Sequence, residues 1–153
     1  MISAYRIVKA KFRDSAFKGD GARMFGGRWN SVGKSVIYVA GSISLATLEM
    51  LVHLNNEQLL HHYMIARVDF DESLVTNLTP GQLPGIWRDS PSPDDNKMVG
   101  DAWVLSGESV ALRVPSAVID HEYNYLLNPS HANFSMVALG EPEDFQFDRR
   151  LKR

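Results

Sequence analysis

The first place in this chain where residue types suggest chemistry is Gly26-Gly27-Arg28-Trp29-Asn30, an arginine set behind a glycine pair. Glycines let the backbone turn tightly and let a ligand come close, and a guanidinium presents a planar fork suited to phosphate. Downstream lie an aromatic hydroxyl, Tyr38, and a carboxylate, Glu49. An arginine on an anion and a carboxylate facing it would together hold a nucleotide better than a protein or a nucleic acid. Each residue also has a plainer reading. Arg28 alone could be a surface or salt-bridge arginine. Glu49 falls between Leu48 and Met50, near the apolar stripe of a helix, and could be an exposed edge residue; buried, it would need a partner or a use for its charge. His53, one turn further on, shares its face and could hydrogen-bond it.

Several other motifs start and fail. Gly33-Lys34-Ser35 ends like a phosphate-binding P-loop, but the first glycine of that pattern would fall on Arg28, and a strand rather than a helix follows. His121-Glu122 opens like a zinc-protease helix, yet Tyr125 stands where the second histidine should be. Gly19-Asp20-Gly21 has Met24 in place of the third glycine of a dinucleotide fingerprint. Ser116 follows Pro115 without a nucleophile elbow, and adjacent His61 and His62 would point to opposite faces of a strand. No metal and no resident cofactor is expected.

The elements that must position Arg28, Tyr38 and Glu49 are short. Tyr5 to Val8 reads as a short strand, Lys9 to Gly21 as loop, and Val36 to Ala40 as a buried strand closed by Gly41-Ser42. Leu45, Leu48, Leu51 and Val52 recur at helical spacing from Ser44 to about Asn55, with Ser42 or Ser44 as N-cap. His61 to Phe70 alternates as a strand, and Pro80 to Pro93 is loop. A helix capped by Asp94, Asp95 or Asn96 runs to Leu105, weakened by Gly100. Glu108 to Val114, Phe134 to Leu139 and Phe145 to Phe147 read as strands, with a segment from Pro115 to the Asn128-Pro129 turn between the first two. The expected fold class is α+β, a single compact domain over 1–153.

With 153 residues, 44% of them hydrophobic, the chain can bury a core without staples. The absence of cysteine excludes thiolate nucleophiles and thiolate zinc sites. A formal charge of −2 gives no electrostatic reason to bind nucleic acid or an acidic membrane, and the basic run Arg149 to Arg153 is too short to do so alone. There is no signal-peptide layout at the N-terminus and no apolar run of ~18 residues, so a cytoplasmic protein is expected.

Taken together, six segments resemble the RES-domain family in order from end to end. They are Tyr5-Arg6-Ile7, Gly26 to Ser31 with Gly33, Val36-Ile37-Tyr38, Leu45 to His53, Leu112 to Ala117, and Glu122 to His131. One mild departure is Ala132, where family members often carry proline after the last histidine. The resemblance implies a fold similar to ADP-ribosyltransferases, with short strands and a few helices. It also implies a toxin of a bacterial toxin–antitoxin pair that consumes NAD+ by hydrolysis, phosphorolysis or ADP-ribosyl transfer. The family's arginine, tyrosine, glutamate and serine fall on Arg28, Tyr38, Glu49 and Ser116. The implied partner is a helix-turn-helix (Xre-type) antitoxin, with a homodimer also plausible; direct contact with nucleic acid or membrane is not implied.

The implied chemistry suits these residue types. Breaking the nicotinamide–ribose bond releases neutral nicotinamide and develops positive charge on the ribose, so no general acid is needed and one carboxylate suffices. That role falls to Glu49. Arg28 would clamp the pyrophosphate or adjacent ribose, Tyr38 would stack on or orient the nicotinamide end, and Arg6 is a second candidate for the phosphates. Ser116 would hydrogen-bond substrate or fix Glu49. Asn124, Asn128 and His131 read as scaffold around the Asn128-Pro129 turn. The competing class is a module that binds a nucleotide, or a protein partner, without turnover.

Overall fold

A computed structural model describes residues 1–153. Eight strands and three α-helices alternate in the order β1 (Ile2–Lys9), α1 (Asp20–Phe25), β2 (Ile37–Ala40), α2 (Ile43–Leu51), β3 (Tyr63–Phe70), β4 (Val75–Asn77), α3 (Asp94–Ser106), β5 (Ala111–Pro115), β6 (Tyr123–Leu127), β7 (Ala138–Leu139) and β8 (Glu143–Phe145). One sheet holds all the strands, in the order β4-β5-β6-β2-β1-β3-β7, with β8 also pairing β3. Every pairing is antiparallel except β4 with β5. The α+β class and the single domain are as expected.

Alternation along the strands sorts side chains onto two faces. On one, Ala4, Ile37, Val39, Val68, Phe70, Ala111 and Leu127 pack together. The other splits into two clusters. Ile7, Ala40 and Tyr63 meet Leu45, Ala46 and Leu51 of α2, while Leu112, Val114 and Leu126 meet Trp29 and, from α3, Trp103. Tyr38 packs against this second cluster, and so lies on the helix-covered face.

Several expectations change. β1 runs eight residues rather than four, because it pairs along its whole length with β3 from Ile2↔Phe70 to Lys9↔Tyr63. Lys9 to Gly21 is not a plain loop: a 3-10 turn occupies Ala10–Ser15 and α1 begins at Asp20. Neither carries a strong apolar period, and tertiary contact supplies what propensity does not. β4 was unforeseen; three residues gain their ladder only from β5. The segment after Pro115 resolves into a loop and then β6. The Phe134–Leu139 strand shrinks to β7 behind a 3-10 turn, and the last strand ends at Phe145 rather than starting there.

The helices keep closer to expectation. α2 is capped by Ser42, whose Oγ accepts from the Leu45 amide at 3.0 Å, and it ends at Leu51 instead of Asn55. α3 starts at Asp94 behind Pro93, so none of the three expected side chains caps it. No helix is long and apolar enough to cross a membrane.

Candidate active site

The Gly26 to Asn30 turn is built from inside. Asn30 is fully buried, and its Nδ2 donates to the carbonyls of Ala22, Ser31 and Lys34 at 2.9, 3.2 and 3.2 Å. Its Oδ1 accepts from the Tyr38 hydroxyl at 2.7 Å, and that hydroxyl accepts from the Trp29 amide at 3.0 Å. A Cβ on Gly27 would stand 2.7 Å from the same hydroxyl. The close approach that the glycine permits is therefore made by Tyr38 of the chain itself. Burial, chiefly, pushes the Tyr38 phenol well above its usual value. It stays a neutral donor, and its ring rather than its oxygen is what remains to meet a ligand.

Arg28 projects from this turn toward the segment before α3. Its Nη1 donates to the Trp87 and Asp89 carbonyls, both at 2.9 Å, while the Ser92 hydroxyl donates to the Arg28 carbonyl at 2.7 Å. Trp87 stacks on Trp29 with ring centroids 6.4 Å apart. A guanidinium has five N–H donors. Two are spent on carbonyls that aim the group, and the Nε–Nη2 edge, which makes the bidentate grip on phosphate, has no acceptor within the chain.

Glu49 is half-buried on α2. Its Oε1 accepts from Ser116 Oγ at 2.7 Å and from Asn124 Nδ2 at 2.8 Å. Oε2 has no partner in the chain. Ser116 is buried, and its Oγ also accepts the amides of Val118 and Ile119 at 3.1 and 3.0 Å, so its proton is committed to Glu49. No histidine bonds Glu49; the expected contact from His53 is absent, and Asn124, read from sequence as scaffold, takes its place. Asn128 and His131 do act locally: Asn128 Oδ1 accepts the Ser130 amide, and His131 Nδ1 accepts the Asn133 amide, leaving Nε2 to donate to the Gly107 carbonyl.

Strand register brings these groups together. Ala40 pairs with Asn124 and Tyr38 with Leu126, so the Tyr38 ring and the amide that holds Glu49 stand on one face, about 7 Å apart along the strands. Arg6 is not among them. It alternates with Tyr5 and Ile7 onto the opposite face, where Nε donates to the Ala16 carbonyl at 2.8 Å and Nη1 to the Tyr38 carbonyl at 3.1 Å. Burial lowers its pKa. Arg6 braces β1 against β2 behind the site. A hollow of about 400 Å3 on that far side, bounded in part by Arg13, Lys18 and Glu141, includes none of the residues that surround Glu49. What sequence reasoning missed was Asn124 and the carbonyls of Trp87 and Asp89. Asn124 could be found only from the β2–β6 register, and backbone acceptors carry no residue-type signal.

The turn-held arginine, the buried tyrosine and the serine-anchored glutamate make up the candidate site, on the helix-covered face of an α+β domain. The RES domain family model matches residues 3–148, and the chain belongs to that family. A protein of Yersinia enterocolitica named Toxin Res is 39% identical over 149 residues, which cover 97% of this chain and 98% of that protein. The Prs ADP-ribosylating toxin of a Sphingobium species is 36% identical, over 88% of this chain and 86% of its own length. Among solved structures, the M. tuberculosis MbcT–MbcA toxin–antitoxin complex contains a chain with the same fold, at a TM-score of 0.78 and 23% identity, over 95% of this chain and 84% of that one.

Proposed function

We propose that this protein is the toxin of a toxin–antitoxin pair and that it cleaves the nicotinamide–ribose bond of NAD+. The observation that carries the reading is the division of labour on Glu49: Oε1 is fixed by Ser116 and Asn124, and Oε2 is left free. A carboxylate held this way is oriented in advance toward positive charge developing on a ribose, which is the condition for electrostatic stabilisation without reorganisation. A module that only bound an anionic dinucleotide would gain nothing from it.

In this mechanism the Nε–Nη2 edge of Arg28 holds the pyrophosphate and the Tyr38 ring lies along the nicotinamide end. The C–N bond breaks with its electron pair going to nicotinamide, which leaves neutral. Glu49 Oε2 stabilises the oxocarbenium-like ribose or the hydroxyl next to it. Water or phosphate then adds at the same carbon; addition of water yields ADP-ribose and releases one proton to solvent. Transfer to a protein side chain is the second reading, supported by the printed name of the Sphingobium relative. The toxin role is supported by the Yersinia relative's name, and the pairing by the MbcT–MbcA complex. The partner is then an antitoxin with a helix-turn-helix domain that covers the pocket lined by Arg28; self-association is a further expectation from the family.

Purified protein incubated with NAD+, with and without inorganic phosphate, should release nicotinamide. Glu49→Gln keeps the shape but removes the charge and should reduce release by about 100-fold or more. Undiminished release by that variant would overturn the assignment. Labelled NAD+ added to cell extract tests the second reading, and no labelled protein band would end it.

A further inference from the structure

Arg28 and Glu49 stand on separate elements, and one segment touches the supports of both. Residues 84–93 lead into α3, and within them Trp87 and Asp89 turn their carbonyls to Arg28 while Ser92 bonds its backbone. Asn96, fully buried on α3, fixes the same stretch by donating to the Trp87 carbonyl at 2.7 Å. Between the two carbonyls, Arg88 reaches the other way. Its Nε donates to the Ala117 carbonyl at 3.1 Å and its Nη1 pairs with Asp120.

Ala117 and Asp120 belong to the loop that begins at Ser116, the residue that fixes Glu49. Ile119 of that loop packs against the α2 cluster, but its hydrogen-bonded ties are few. Its internal ties are the Val118 and Ile119 amides on Ser116 Oγ and the Ser116 amide on the Glu122 carbonyl. His121 sits at φ 68, in the left-handed region that costs a non-glycine residue energy. Beyond those bonds to Ser116, the hydrogen bonds that join residues 117–121 to the rest of the chain come from Arg88 alone.

We infer that Arg88 is a positioning residue: by tying the 116–122 loop to the segment that aims Arg28, it sets the span between the phosphate grip and the Glu49 carboxylate. The inference rests on the NAD+-cleaving reading for its kinetic consequence, though not for its structural one. The Arg88–Asp120 pair is open to solvent, with side chains 44% and 66% exposed, so it adds little to stability. Its effect should appear in geometry. NAD+ would still be bound through Arg28, but the reacting carbon would sit out of register with Oε2, which lowers kcat far more than it raises KM.

The test uses the whole protein and three variants, Arg88→Ala, Asp120→Ala and the exchanged pair Arg88→Asp with Asp120→Arg. Nicotinamide release should show kcat about tenfold lower in the first two, with KM within about twofold and the melting temperature within about 4 °C of wild type. The exchanged pair should recover part of the lost kcat. Amide hydrogen exchange should speed up at Val118 and Ile119 in Arg88→Ala and not in β3. Unchanged kcat, a loss carried mainly by KM, a fall in melting temperature large enough to explain the loss, or no recovery in the exchanged pair would each overturn the inference. If wild type released no nicotinamide, the functional reading would fail by itself. The exchange measurement would still decide whether Arg88 holds the loop, and unchanged protection there would end the inference too.

Discussion

Ser116 Oγ donates to Glu49 Oε1 at 2.7 Å across 67 positions of sequence, and the same oxygen collects two amides of its own loop. The serine is therefore a relay between loop shape and carboxylate orientation, and it has no proton left over for attack on a substrate. Ser116→Ala should leave two amides without their acceptor and take from Oε1 one of its two donors, lowering stability by about 1–3 kcal/mol. Turnover should fall by about tenfold or more. Asn124→Ala should lower turnover similarly with a smaller loss of stability, and the double variant should be less than additive in kcat. Denaturant unfolding alongside nicotinamide release separates the two effects.

Gly100 offers a test in which local propensity and packing disagree in sign. Replacing a helical glycine with alanine stabilises an exposed helix by up to about 1 kcal/mol. Here a Cβ at position 100 would fall 1.6 Å from the Trp29 carbonyl oxygen, a backbone atom that cannot step aside. Gly100→Ala should destabilise by about 3 kcal/mol or fail to fold, because α3 must move off the turn that carries Arg28. A thermal unfolding curve at or above the wild-type midpoint would contradict this packing.

Arg28→Lys preserves charge and removes the fork. Lysine cannot bond both the Trp87 and Asp89 carbonyls and still offer a bidentate edge to phosphate. KM for NAD+ should rise by about tenfold, equivalent to about 1.4 kcal/mol of binding. Trp87 emission should also change, since its stacking on Trp29 depends on the segment that Arg28 holds. A variant with unchanged KM would remove Arg28 from substrate binding.

Tyr38, Tyr63 and Tyr125 all have phenols raised above their usual value, burial being the first cause for each. A raised folded pKa contributes stability that is fully present below the unfolded value, about 10, and is lost as pH rises through the folded one. Stability should accordingly decline above pH of about 10, and phenolate absorbance of these residues should appear together with unfolding. Tyr38→Phe should flatten part of that slope while costing the bonds to Asn30 and Trp29.

Legibility differed from residue to residue. Val36 to Ala40 was readable from its β-branched and aromatic content and Leu45 to Leu51 from leucines at helical spacing, and the boundaries of both carry turn or capping residues. β1 was under-read because its outer residues are strand only by pairing with β3, and β4 was missed for the same reason. Arg28 and Glu49 stood out by type. Arg6 also stood out by type and by its place beside Tyr5, yet alternation turns it to the wrong face and spends it on carbonyls. His53 shares a helix face with Glu49, but Asn124, which arrives from β6, is the residue that bonds it.

The amino-acid sequence alone determined the α+β class, the α2 helix with its cap narrowed to Ser42 or Ser44, and the presence of the arginine, tyrosine, glutamate and serine that make up the candidate site. These depend on local periods and on functional groups, both of which are written residue by residue. Tertiary structure alone decided that Glu49 has one fixed and one free oxygen, that Tyr38 closes the Arg28 turn, and that Arg88 ties the 84–93 segment to the loop after Ser116. Those relations depend on strand register and on backbone carbonyls brought close from distant segments. Neither leaves a mark in residue identity, and both exist only once the β2–β6 pair and the loops around it have come together.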